Sequence, residues 1–277
     1  MPELPEVETV RTGLATLVTG ATFTGAELRD FPGVIGDLDF PTFRAHLTGS
    51  SITGVERRGK YLAIRTDSPF LLQVHLRMTG RLLVLPHHAP PVRFEHLALS
   101  LDNGNDLRFG DQRKFGRVLL VDEPAWDALS QRLGPEPLGD DLTAGGLQER
   151  LTRRTGSIKG ALLDQSLIAG LGNIYVDEVL FRTGIHPLTV ANSLQPEHAS
   201  ALLHAIRTVL QAAISNQGTT FSTFENPYGE AGSNAAFLQV YGRGGRNMPC
   251  PRCGTPLQRI TVAGRGTTFC PTCQRLR

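Results

Sequence analysis

The chain has 277 residues, 40% of them hydrophobic, and a formal net charge of +2, enough to bury a core and, by length, to form two domains rather than one. No apolar run approaches the ~20 residues of a membrane-spanning helix, and the acidic, proline-bearing start does not read as a signal peptide, so a cytoplasmic protein is expected. The charge is uneven: residues 241–277 hold seven arginines and no acid, which leaves the remainder net negative and marks an end that faces a polyanion.

The chain opens Met1-Pro2-Glu3-Leu4-Pro5-Glu6. Removal of Met1 would make Pro2 a secondary amine. An α-amino group titrates near ~7.7–8.0 against ~10.4 for lysine, so much of it is an available nucleophile at neutral pH. Glu3 stands one residue away as a proton donor or acceptor. The plainer reading is that proline and acid simply start a helix, since both suit a first turn. Retained Met1 would leave the Pro2 nitrogen an inert amide.

Val7, Val10, Leu14, Leu17 and Val18 recur at helical spacing and predict an amphipathic helix from about Pro5 to Val18. Strand-like runs follow at 61–64, 70–76, 82–85, 96–101 and 118–121, with Asn103-Gly104 as a hairpin turn. This spacing predicts a β-sandwich or barrel. Leu133-Gly134-Pro135-Glu136-Pro137-Leu138-Gly139 breaks the pattern and reads as a linker, 134–142, between an N-terminal domain over 1–133 and a helical region over 143–240. In the latter, helices are predicted around Leu147 and Leu151, over 158–163, from Asn173 to about Phe181, and along Leu202, Ile206, Leu210 and Ala213. The stretch 217–234 is rich in Gly, Ser, Thr and Asn and reads as a mobile loop.

The strongest local signal lies in the last segment, 241–277. Cys250-x2-Cys253-x16-Cys270-x2-Cys273 has the two-knuckle spacing of one tetrahedral structural zinc. Paired disulfides are the rival reading, disfavoured in a reducing compartment. Four Cys leave no open coordination position for catalysis. The metal would hold a hairpin with Arg265 at its tip, a unit too small to fold on apolar burial alone. Asn173 follows Gly170 and Gly172 at a helix mouth suited to a phosphate, although Asn is also an ordinary cap. Lys159, a turn into the preceding helix, points the same way or is a solvated charge. Met78 and Phe115 lie next to Arg77 and Arg113; such residues are commonly core, or they are wedges that enter a base stack.

Taken together, Pro2 to Thr9, Arg57-Arg58-Gly59-Lys60-Tyr61-Leu62, Gly170-Leu171-Gly172-Asn173-Ile174-Tyr175, Gln239 to Arg243 and the four-cysteine finger resemble the bacterial formamidopyrimidine-DNA glycosylases. The resemblance covers the whole chain. It implies an α+β protein of two domains: an N-terminal β-sandwich with an N-terminal helix, and a C-terminal helical domain with a helix-two-turn-helix motif and a zinc-finger hairpin. It implies a monomer acting on duplex DNA that contains oxidised purines or abasic sites, with no membrane contact. By the same resemblance Pro2 attacks C1' of the damaged nucleotide, Glu3 transfers protons, Lys60 contacts phosphate and assists β-elimination, and Arg265 serves phosphate contact and δ-elimination. Met78, Arg113 and Phe115 match the residues that fill the space of a flipped nucleotide. Lys159, Asn173 and Tyr241 match phosphate-binding positions; His75, His96 and Arg154 are further positions near DNA. The loop 217–234 corresponds to one that closes over the everted base.

The chain departs from the family pattern where Asp111-Gln112-Arg113-Lys114-Phe115-Gly116 stands for Asp-Pro-Arg-Arg-Phe-Gly, which leaves the stiffness of that loop open. Two other readings remain: an endonuclease VIII-like enzyme for oxidised pyrimidines, which the Met78, Arg113 and Phe115 set fits less well, and a non-catalytic binder of damaged DNA, which would not need Pro2, Glu3 and Lys60 together.

Overall fold

A computed structural model describes residues 1–244 and 248–276, so Arg246 and Arg277 of the basic end lie outside the described residues. The chain divides into two compact units, Met1–Gln131 with Ile214–Ala235, and Arg132–Ala213 with Ala236–Arg277.

The first unit begins with α1 (Leu4–Val18), whose first turn contains Pro5 and whose apolar stripe of Val7, Val10, Leu14 and Val18 is buried. Extended backbone at Thr19 and a left-handed Gly20 end it. There follow β1 (Phe23–Leu28), α2 (Phe40–Leu47), β2 (Ile52–Arg58), β3 (Tyr61–Thr66), β4 (Phe70–His75), β5 (Gly80–Pro86), β6 (Glu95–Leu101), β7 (Asn105–Asp111), β8 (Arg117–Asp122) and α3 (Glu123–Arg132). The strands form two antiparallel four-stranded sheets, ordered β1-β6-β7-β5 and β2-β3-β4-β8. One core joins Leu62, Ile64, Leu72 and Val74 of one sheet to Leu82, Leu97, Leu99 and Phe109 of the other and to the α1 stripe. The sandwich is therefore present, with more strands than the hydropathy pattern showed. β7 is not among the strand-like runs because it carries Asp106, Arg108 and Asp111, yet all three are buried. Arg108 pairs with Asp106 at 2.9 Å and donates to the carbonyls of Ala89 and Pro90, which satisfies the charge on this interior strand.

The second unit holds α4 (Ala144–Thr152), α5 (Ile158–Leu163), α6 (Asn173–Thr183), α7 (Pro196–Ser215) and a hairpin of β9 (Gln258–Val262) and β10 (Arg265–Phe269). Hydroxyl caps start two of the helices: Thr143 accepts from the Gly146 amide at 3.1 Å and Ser157 from Gly160 at 3.2 Å. Gly184, left-handed with φ 71°, closes α6. The proline-rich segment after Leu133 is bonded to this second unit: Arg207 donates to the carbonyls of Pro137, Gly139 and Leu142. By contrast the 217–234 stretch groups with the first unit.

Candidate functional site

In the first unit the start of the chain is held by a reciprocal capping box, in which the Glu3 side chain accepts the Glu6 amide and the Glu6 side chain the Glu3 amide. Glu6, buried in the first turn of α1, accepts the Glu3 amide at 2.8 Å and the Thr219 amide at 2.7 Å. Pro2 and Glu3 are both buried while Met1 is exposed. The helix-start reading and the nucleophile reading are thus compatible, because the residues that begin α1 also fix the backbone next to the Pro2 nitrogen. Glu8, two residues on, accepts from Arg11 and from Arg57 of β2, each at 2.8 Å. Burial would raise the Glu8 carboxyl, but these two guanidinium groups hold it below its ordinary value. Arg57 also donates to the Gly59 carbonyl at 3.0 Å, so it binds the turn that presents Lys60, itself largely buried.

His75 ends β4 beside that turn, opposite Tyr61 in the ladder and edge-on to its ring at 4.4 Å. Burial, then the charges of Arg77 and Lys60, push His75 down to about 3, so its ring is neutral at physiological pH. Nδ1 accepts the Arg77 amide at 2.9 Å, which leaves the proton on Nε2.

The turn with half-buried Met78 and the loop with Arg113 and Phe115 are joined through Thr79, whose hydroxyl donates to Asp111. Asp111 is 1% exposed, and its carboxylate also accepts the amides of Arg113 (3.1 Å), Phe115 (2.8 Å) and Gly116 (2.7 Å). Four donors on one buried carboxylate give this loop the restraint that Gln112, in place of proline, cannot. Lys114 sits left-handed at φ 58° and reaches Asp30 at 3.0 Å. Asp30, lowered by hydrogen bonds from His96 and Lys114, bonds His96 Nδ1 at 2.7 Å, and His96 Nε2 meets the Asp111 carbonyl at 2.8 Å. Both His96 nitrogens are therefore committed behind the loop. In front of it Phe115 is 50% exposed, with the Arg113 guanidinium 4.8 Å over its ring.

The 217–234 stretch is tied along its length. Asn234 donates to Thr219 (2.8 Å), Gly232 to Thr220 (2.9 Å), and the Asn226 side chain accepts from the amides of Tyr228 and Glu230 at 3.0 Å each. Val84 of β5 donates to the Pro227 carbonyl at 3.0 Å. Phe221, Ser222 and Tyr228 remain exposed.

The second unit uses two adjacent carboxylates of α6. Asp177 bonds Lys159 at 2.6 Å and the Thr268 amide of β10 at 2.9 Å, while Glu178 accepts the amides of Gln239, Val240 and Tyr241 at 2.9, 2.9 and 2.8 Å. Burial raises both acids, Asp177 to about 6 against the opposing pull of Lys159. Lys159, expected at the surface, is 0% exposed. Asn173 donates to the Gly266 carbonyl at 2.9 Å, and its Oδ1 is buried without a partner among the described residues. Arg265 is exposed beside the left-handed Ala263-Gly264 tip. Arg154 pairs with Asp164 at 2.8 Å.

No cysteine is in a disulfide, and the four sulfurs lie within 4.8 Å of one another. Cys250 and Cys273 are 3.9 Å apart and Cys253 and Cys270 3.5 Å, against about 3.8 Å for four sulfurs at ~2.3 Å from one tetrahedral zinc. The donor set fits a structural zinc.

Three family models match in order: the formamidopyrimidine-DNA glycosylase N-terminal domain over residues 1–118, the H2TH domain of the same enzymes over 133–225, and the zinc finger found in FPG and IleRS over 249–276. The chain belongs to the formamidopyrimidine-DNA glycosylase family. It is 48% identical to the formamidopyrimidine-DNA glycosylase of Herpetosiphon aurantiacus, covering 99% of this chain and 100% of that one, and 48% identical to that of Chloroflexus aurantiacus, covering 99% and 98%. A Lactococcus lactis Fpg complexed with abasic-site DNA superposes with a TM-score of 0.91 at 39% identity, covering 99% of each chain.

Within this glycosylase-family chain, the residues that the sequence reading missed are acids: the buried Glu6, Asp111, Asp177 and Glu178, and the exposed Asp30. Their signal was faint. Asp177-Glu178 stands out as an acidic pair on a helix that is otherwise apolar on most faces, in a unit whose other end is basic.

Proposed function

We infer that this protein is a bifunctional DNA glycosylase and abasic-site lyase of base excision repair, removing oxidised purines such as 8-oxoguanine and formamidopyrimidines from duplex DNA in the cytoplasm. The observation that carries the reading is the fixed start of α1, where Glu6 holds the backbone of Glu3 and so sets the direction of the Pro2 nitrogen once Met1 is gone. A retained Met1 leaves that nitrogen acylated and the protein able to bind but not cut.

In this mechanism the unprotonated Pro2 amine attacks C1', the bond to the base breaks, and Glu3 supplies the proton needed as the sugar ring opens to a Schiff base. Loss of the C2' proton then expels the 3' phosphate, and a second elimination expels the 5' phosphate. Lys60 and Arg265 stabilise the phosphates that leave. Extrusion of the nucleotide costs a few kcal/mol, offset by Met78, Arg113 and Phe115 entering the vacated stack and by phosphate neutralisation. The exposed Arg113–Phe115 pair on a loop anchored by Asp111 supports that role. Asn173 and Tyr241 take backbone phosphates. Lys159 and His96, whose polar atoms are engaged within the chain, support the finger and the wedge loop from behind. Zinc, when bound, cross-links the finger and takes part in no covalent step.

The test is borohydride reduction with a duplex carrying 8-oxoguanine opposite cytosine. Protein whose intact mass shows Met1 removed is expected to be trapped covalently through Pro2, and Pro2→Gly to lose almost all trapping. Intact duplex binding without trapping by Met1-free protein would replace this reading with that of a damage binder.

A further inference from the structure

Beyond the DNA-facing residues, the second unit contains a pocket of about 330 Å3 formed by the C-terminal end of α6, the 185–195 connection, the first turn of α7 and Arg275. That volume is at the lower end of small-molecule sites, roughly 300–1,000 Å3. Its polar lining combines two histidines and Arg275 with the hydroxyls of Thr183 and Ser193, whose protons go to backbone carbonyls. His186 accepts the Leu188 amide on Nδ1 at 3.1 Å, and His198 accepts the Gln195 amide on Nδ1, also at 3.1 Å. In each neutral ring the proton is therefore on Nε2, and neither Nε2 has a protein partner among the described residues. The His186 ring is held in place edge-on to Phe269 at 4.7 Å. Arg275 adds a permanent cation, no carboxylate of the described residues lines the pocket, and Ile185 and Leu194 form an apolar wall.

Arg275 disfavours a cation here, whereas an oxyanion can use the guanidinium and the two uncommitted imidazole N–H groups of the lining residues. We propose that this pocket binds a small phosphate-class oxyanion, free phosphate or a phosphorylated small molecule, through His186, His198 and Arg275. The backbone phosphates of the DNA substrate are a poor match for it. α6 runs from Asn173 to Thr183, and at ~1.5 Å per residue the pocket lies roughly 15 Å along the helix from the end that carries Asn173.

The experiment titrates inorganic phosphate into the zinc-loaded full-length protein bound to an undamaged duplex, and follows the imidazole 15N signals of His186 and His198 by NMR. Saturable shifts of both rings are expected. Arg275→Ala is expected to weaken phosphate binding about tenfold, the loss of one charge-assisted hydrogen bond, with duplex affinity unchanged. If Arg275→Ala lowers zinc content, His198→Ala makes the same discrimination. Absence of saturable shifts in the parent protein, or unchanged phosphate affinity in a folded variant, overturns the proposal. Shifts of the same two rings on adding duplex alone, without phosphate, overturn it as well, because the occupant would then be DNA.

Discussion

The two units stabilise the segments that carry their candidate site residues by different means. The first has a large apolar sandwich, and its functional loops are hung on it by single buried carboxylates that collect backbone amides: Glu6 for the chain start and Thr219, Asp111 for the wedge loop. The finger of the second unit has a small apolar cluster of Phe181, Val240, Leu257 and two of its cysteines, and depends on four thiolates and on Asp177 and Glu178 to hold it to α6. Carboxylates do the positioning in both. What differs is the source of stability, apolar area in one case and metal with buried charge in the other.

The contrast is broken or upheld first by removing the metal. Chelation, or Cys250→Ser, should unfold the finger and abolish tight duplex binding, since structural zinc supplies on the order of 10–16 kcal/mol to small metal-dependent folds. Hydrogen exchange should find the β-sandwich amides still protected. Loss of protection in both units would show that the sandwich is not self-sufficient. A smaller effect is expected from Lys159→Met, which strands Asp177 in the interior at about 3–5 kcal/mol. The double variant Lys159→Met/Asp177→Leu should recover part of that loss in urea denaturation, and no recovery would mean that the Thr268 contact matters more than the charge.

In the first unit, Asp111→Ala leaves the amides of Arg113, Phe115 and Gly116 without their acceptor, worth about 1–3 kcal/mol. Extrusion of a fluorescent base analogue should slow while the trapping of a pre-formed abasic site is largely spared. Equal loss in both assays would remove the loop's special link to extrusion. The smallest effect at neutral pH concerns His75, whose contribution emerges only on acidification. Because His75 is pushed down to about 3, the unfolded chain binds a proton there that the native protein refuses between roughly pH 6.5 and 3. Stability should thus fall with falling pH by at most about 1.4 kcal/mol per unit from this group, and His75→Gln should flatten that slope. Identical slopes in the two proteins would mean that the ring is solvated and titrates normally.

The cysteine spacing, the amphipathic α1 and the helices from Leu147 to Ala213 were readable because each depends on local periodicity or ligand count. So was the start of the chain as a candidate, since the chemistry proposed for Pro2 and Glu3 follows from residue type and position. β7 was not readable, since Asp106, Arg108 and Asp111 look like solvated loop residues until their partners are known. Lys159 misled for the same reason: its neutraliser is 18 positions away and one helix over. The stretch 217–234 reads as a loop from composition, but its attachment to Glu6 and Val84 joins residues more than a hundred positions apart.

By itself, then, the sequence determined the zinc ligands, the helical periodicities and the Pro2-Glu3 start on which the proposed chemistry rests, all properties of near neighbours in the chain. Only the tertiary structure decided which acids are buried and which amides they collect. A carboxylate's role depends on the donors that folding gathers around it, and several of those, Thr219 for Glu6 and Gln239 to Tyr241 for Glu178, come from distant segments.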